Sequence, residues 1–160
     1  MEAPSVALEI KGAITAVIAF GTALFGWIGW LVVVWVVCMV LDYLSGTFAA
    51  IKRGAWKSSI ARQGLWHKLG GILAVCVAAL CDIAINVVVG QFGGAFEYHG
   101  YITPIVVLWY IFTELGSIIE NAAMLSDNVP PFLKRLIDKF KKTAEDTGDN
   151  IANTDNKKDE

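Results

Sequence analysis

Charge is scarce in this chain: Asp, Glu, Lys and Arg make up 18% of its 160 residues, against roughly 25% in ordinary soluble domains. The scarcity is also uneven. No charged residue stands between Gly12 and Leu41 or between Leu69 and Cys81, and Asp82 is the only one from Leu69 through Phe96. A soluble domain this small could not hide such runs, which excludes a water-soluble enzyme, a nucleic-acid binder and a disordered protein. The three cysteines, Cys38, Cys76 and Cys81, all lie inside apolar runs. There a thiol neither meets an oxidant nor ionises to a metal-binding thiolate, so a secreted disulfide scaffold is excluded as well. His67 and His99 each stand alone without metal-ligand spacing, and no metal site is expected. The basic N-terminal region of a cleaved signal peptide is missing, because the chain opens Met1-Glu2-Ala3-Pro4 and carries Glu9 before Lys11; the first apolar segment is expected to be retained. There is no Ser/His/Asp set, no His-Glu-x-x-His and no phosphate-binding glycine loop, and the pairs Gly70-Gly71 and Gly93-Gly94 have no motif around them. Neither enzyme activity nor a cofactor is expected.

What the chain does have is apolar sequence of helix length, with 56% hydrophobic residues and a mean hydropathy of +0.56. Crossing the roughly 30 Å hydrocarbon layer takes about 20 residues of helix. The run from Gly12 to Leu41 would be about 45 Å long as one helix, too long for one upright span and short for two. It should break within Phe25-Gly26-Trp27-Ile28-Gly29-Trp30, where two glycines loosen the helix and the tryptophans favour the headgroup zone. The predicted spans are residues 6–25, 28–50, 69–90 and 102–124, the last with Pro104 in its first turn, where a missing donor does little harm. The chain therefore reads as all-α, an integral membrane protein with three or four transmembrane helices in residues 1–127.

Orientation follows from Lys and Arg in short loops, because cytoplasmic loops hold the excess. Lys52, Arg53, Lys57, Arg62 and Lys68 separate the second and third spans, whereas residues 91–101 contain neither Lys nor Arg. The basic loop and the C-terminus are thus expected in the cytoplasm. In residues 128–142, after Pro130-Pro131, Phe132, Leu133, Leu136, Ile137 and Phe140 fall on one helical face while Lys134, Arg135, Lys139, Lys141 and Lys142 cover the rest. This predicts a short basic amphipathic helix lying on the anionic inner leaflet. Residues 143–160 lack aromatics and are rich in Asp, Glu, Asn, Thr and Lys, which predicts a disordered polar tail.

Lipid is as apolar as leucine, so helices associate in it through close packing and polar contacts. Gly12, Ala16, Ala19, Ala23 and Gly26 make a small-residue seam in the first segment, and Gly70, Ala74 and Ala78 make another that runs on to Asp82, Asn86 and Gly90. Either could join helices within one subunit or between copies. Acidic groups at bilayer depth are costly, at least about 2.5–3.5 kcal/mol each. Asp42, Asp82 and Glu114 lie inside predicted spans, with Asn86 one turn from Asp82 and with Ser117, Glu120 and Asn121 sharing the Glu114 face. With no Lys or Arg expected at mid-depth, these carboxyls must be protonated, hydrogen-bonded to polar neighbours or exposed to a wet lumen. The seven side chains are the candidate pore-lining or intramembrane polar residues.

Three stretches carry a resemblance. They are Phe25-Gly26-Trp27 followed by Leu41-Asp42-Tyr43-Leu44-Ser45-Gly46-Thr47 and Ala49-Ala50-Ile51-Lys52; then Ser58-Ser59 with Gly64-Leu65-Trp66-His67-Lys68; and last Thr113-Glu114-Leu115-Gly116-Ser117-Ile118-Ile119-Glu120-Asn121. Together with the Pro-x-x-Leu-Lys pattern that closes on Lys134, they cover roughly residues 10–140. The sequence resembles the phage-lysis and toxin-secretion holins of Gram-positive bacteria and their phages, departing from them at Trp56 and Trp66 in the basic loop. The resemblance implies a multi-pass protein of the bacterial cytoplasmic membrane. Its partners would be copies of itself, the lipid bilayer and in some cases an antiholin, with no nucleic acid. The homo-oligomer would form a lesion through which an endolysin or toxin leaves without specific binding, triggering timed lysis. A small ion channel or transporter subunit and an antiholin-type regulator are the alternatives.

Overall fold

A computed structural model of the chain describes residues 6–55, 57–91 and 98–153. It contains α1 (Val6–Lys52), α2 (Ser58–Gln91), α3 (Ile102–Leu125) and α4 (Pro131–Asn153), with no strand among the described residues. Three helical stretches are long and apolar enough to cross a membrane: Gly26–Lys52, Gly64–Gln91 and Ile102–Leu125.

The apolar run that is too long for one span is interrupted at Gly26, whose φ of 59° and ψ of −154° are non-helical. A side chain there would clash with the backbone, so this corner suits only glycine. The break falls inside the six residues expected to hold it. At its other end α1 stops on Gly54, also at positive φ. The amide of Ala55 donates to the carbonyl of Ala50 and that of Gly54 to Ile51, the paired bonds of a Schellman ending.

α2 begins at Ser58, well before the apolar run that was expected to open the span at residue 69. Its first turns are polar but unbroken by Pro, and they carry Arg62 and Lys68 into the helix instead of leaving them in a loop. α4 extends to Asn153, into the stretch where composition predicted disorder.

α3 is the hub. It packs against α1, α4 and α2, whereas α1 and α2 barely touch. The second half of α1 runs parallel to α3, pairing Trp35 with Tyr110 (ring centroids 5.5 Å apart) and Lys52 with the α3 C-terminus. α2 runs antiparallel, with Gly71 under the Tyr110 ring and Asp82 against Thr103. The buried core is Trp35, Cys38, Val75, Val107 and Ile111. It is thin, and Val36, Val37, Val40, Leu73, Val77, Leu80 and Val87 point outward. Such a surface would aggregate in water and is the ordinary exterior of a protein solvated by lipid.

The small-residue seam on α2 keeps Ala74, Ala78 and Asp82 toward α3 and departs from expectation at its first residue, where Gly71 takes the place of Gly70. A side chain at Gly71 would meet Tyr110 at 3.1 Å and Trp35 at 3.5 Å, while Gly70 has nothing within 4 Å. Ala78 is buried and Ala74 partly so, close to α3. On the first part of α1, Gly12 and Ala19 are exposed and neither Gly12 nor Gly26 has a neighbour within 4 Å; the side chains of Ala16 and Ala23 lie outside the described ones.

Candidate functional site

Asp42 stands ten residues before the end of α1 and Glu114 eleven before the end of α3, which puts both about 15 Å from the C-terminal ends of their helices, about half the thickness of a roughly 30 Å layer. Between them reaches Lys68 from α2. Its Nζ is 2.9 Å from Asp42 Oδ2 and also bonds Glu114 Oε2. The expectation that no cation reaches mid-depth is therefore corrected. Because α2 starts early, Lys68 is a helical residue inside the span, and its aliphatic stem packs while the ammonium finds the carboxylates. Of the five basic residues used to assign orientation, Lys52 ends one span and Arg53, Lys57 and Arg62 fall between the spans Gly26–Lys52 and Gly64–Gln91, still against none in residues 91–101.

The cluster is extended by amide and hydroxyl groups. Asn121 Nδ2 donates to Asp42 Oδ1 at 3.1 Å and to Ser45 Oγ at 3.2 Å. A side chain at Gly46 would approach Asn121 Nδ2 to 3.3 Å, so the small residue there admits the amide. The three motif blocks of the sequence, 41–52, 64–68 and 113–121, thus converge on one point. The side chains of Lys68, Asp42 and Glu114 are 14%, 17% and 11% exposed, too little for water to screen their charges fully. One cation serves two carboxylates. A cleft of about 390 Å³ leads from the cluster between α1 and α2, lined by Asp42, Gly46, Lys68, Ser117 and Asn121 and flanked by Arg53 and Lys57. Its wall is mixed, with more apolar than polar surface, but Asp42, Lys68 and Asn121 give it polar groups and it is large enough for several waters.

Asp82 is treated differently. It is 8% exposed and accepts bonds from the backbone amides of Ile102 (3.1 Å) and Thr103 (2.7 Å), from Thr103 Oγ1 and from the Tyr98 phenol. The residue preceding α3, Tyr101, supplies no side-chain cap, and Asp82 does so from the neighbouring helix, satisfying amides that the helix itself leaves open. Burial and the adjacent carboxylate hold the Tyr98 phenol above its ordinary pKa, so it keeps the proton it donates. Gly100, at φ +70°, would place a side chain 3.7 Å from the Asp82 carboxyl. At the opposite end of α3, Lys52 Nζ bonds the carbonyls of Leu125 (2.8 Å) and Met124 (3.3 Å). An anion at the N-terminus and a cation at the C-terminus both complement the helix dipole.

The other candidates do not join these groups. Asn86 is exposed on α2. Glu120 faces away from the cluster and pairs with Lys134 of α4 at 2.8 Å, both about half exposed. Sequence reasoning missed Ser45, Tyr98, Thr103 and the pairing role of Lys68. Only the last left a trace, in the absence of a helix breaker between Gly64 and the apolar run.

Comparison with known proteins returns one consistent result. Residues 19–142 match the model of the bacteriophage holin family. The chain is similar to the uncharacterized protein Lin0175 of Listeria innocua, 30% identical over 124 residues that cover 76% of this chain and 81% of the relative. It is likewise similar to the uncharacterized protein Lmo0128 of Listeria monocytogenes, 31% identical over 71% of this chain and 74% of the relative. To the uncharacterized protein CPE0383 of Clostridium perfringens it is 30% identical, over 76% and 84%. No solved structure matches the chain.

Proposed function

Because the chain belongs to the bacteriophage holin family and is a multi-pass helical membrane protein, we propose that it acts as a holin. It gathers in the bacterial cytoplasmic membrane into a homo-oligomeric lesion that releases an endolysin or a toxin and so times lysis. The observation that carries this reading is the convergence of the three motif blocks on the Asp42–Lys68–Glu114 cluster. A group of charges with one carboxylate in excess is costly in lipid and is favoured beside water. In this reading Asp42, Glu114, Ser117 and Asn121 border the wet route, which the cleft between α1 and α2 opens. Asp82 serves as the cap that seats α3. The basic residues between α1 and α2 favour a cytoplasmic position for that loop and, with it, for the C-terminal end of α3.

The test is inducible expression in a bacterium with and without a cytoplasmic endolysin, following turbidity and membrane potential. Abrupt, endolysin-dependent lysis is expected, and Glu114→Leu should insert normally yet lyse late or not at all. A leak of ions with the endolysin retained would replace the lesion by a small channel, for which the charged cleft would be the ion path. Delay of lysis by a co-expressed holin would mark an antiholin. Copies are expected to meet along the Gly12–Gly26 seam, where Gly12 and Gly26 have open space around them and Ala19 is exposed. Ala19→Leu should then shift the ladder of chemically crosslinked oligomers, and an unchanged ladder removes the seam from the assembly.

A further inference from the structure

α4 has two faces that need different solvents. Part of its apolar side, centred on the buried Ile137, is laid along α3 for nearly the whole length of that span, antiparallel to it, while Phe132, Leu136 and Ile151 stay exposed beside the contact. Lys134 pairs with Glu120 near the cytoplasmic end, and Ile137 packs over Gly116. Phe140 stacks on Phe112 with centroids 5.4 Å apart, Lys141 Nζ sits 4.5 Å from the Trp109 ring centre, and a side chain at Gly148 would meet Ile105 Cγ2 at 3.7 Å. At 23 residues α4 is about 34 Å long, enough to cross the hydrocarbon layer beside α3. Its other side is charged and exposed, with Arg135, Lys139 and Lys142 in the first half and Asp146 and Asp149 in the second.

These facts fit together in one setting only. Since α3 spans the membrane and α4 lies along it, the charged side of α4 is at bilayer depth, where it cannot face lipid tails. In a lone subunit that side has no cover, and helix α4 would have to leave α3 and lie on the inner leaflet. We propose that the back-folded α4 is the posture of the assembled protein. There it is an additional membrane-crossing helix whose charged side faces a water-filled lumen enclosed by further copies of this chain, basic toward the cytoplasm and acidic toward the outside. The inference rests on the holin reading above and adds which helix forms the wet wall.

The posture is tested by an intrasubunit disulfide. In a background with Cys38→Ala, Cys76→Ala and Cys81→Ala, the pair Ile105→Cys and Gly148→Cys joins the outer end of α3 to the far end of α4. The pair Glu120→Cys and Lys134→Cys joins their cytoplasmic ends in either posture and serves as the control. After oxidation of membranes, the 105–148 bond is expected in the oligomeric fraction and at least several-fold less in the monomer fraction at low expression. The oxidised protein should still permeabilise the membrane. Closure of the control pair alone, equal closure of 105–148 in monomers, or permeabilisation that stops on oxidation and returns on reduction would each overturn the proposal. Should the 105–148 variant fail to accumulate, the pair Phe112→Cys and Phe140→Cys, halfway along the contact, reads the same alternatives. Lysis by the unmodified full chain is measured beside these. Its absence, with the 105–148 bond formed only in oligomers, would refute the lesion and leave the placement of α4 standing.

Discussion

The spans hold buried carboxylates in two places, and they are kept there by opposite means. Asp82 receives four hydrogen bonds from α3 and the segment before it, and no Lys or Arg among the described residues pairs with it. Asp42 and Glu114 share one lysine and border an open cleft. The first arrangement is closed, fixing where α3 begins. The second is unbalanced by one charge and partly open, so its energy depends on whether water reaches it. A carboxylate inside a membrane helix is therefore not one kind of signal. Its donors decide whether it serves the fold or a wet surface.

The contrast can be broken most forcefully at Lys68. Lys68→Met strands two carboxylates and should lower the stability of the detergent-solubilised protein by about 3–5 kcal/mol, seen as a drop in thermal unfolding midpoint. Adding Asp42→Asn with Glu114→Gln should restore most of it; no restoration would mean that lysine contributes by packing alone. Asp82→Leu should come next, costing about 2–3 kcal/mol by leaving the first α3 amides without an acceptor, and speeding hydrogen exchange at residues 102–105 while exchange near Glu114 stays unchanged. Lys52→Met, at the other end of α3, should cost about 0.5–1 kcal/mol and loosen only its last turn, again read by exchange. The smallest effect is expected for Asp42→Asn, within about 0.5 kcal/mol, because Lys68 and Glu114 then form a balanced pair and the new amide can still accept from Asn121. A loss comparable to that of Lys68→Met would show that the cluster is as closed as the Asp82 cap.

The membrane architecture could be read from the chain because hydropathy and glycine are local. The run of 30 uncharged residues from Gly12 to Leu41 had to break, and it breaks at Gly26; the apolar segment opening at residue 102 is where α3 begins. The start of α2 was misplaced because hydropathy marks where lipid begins, and a helix can begin two or three turns earlier in polar sequence, as Ser58–Lys68 does. That displacement hid Lys68, and with it the pairing of Asp42 and Glu114. Choosing Gly70 over Gly71 reflects the same limit, since a one-residue error turns a helix by about 100° and only the positions of Trp35 and Tyr110 decide between them. The polar composition of residues 143–153 pointed to disorder, whereas α4 continues to Asn153 with Ala144 and Gly148 lying close to α3.

Since α3 holds every other helix and α1 scarcely meets α2, the subunit is built like a book with α3 as its spine. Spreading its two covers would part Lys68 from Asp42 and Gly71 from Trp35, the few places where they meet, and leave the contacts along the spine intact. The cleft lies between those covers, so crowding that pries them apart would trade the Lys68–Asp42 pair for water at the charged cluster while α3 still holds both helices.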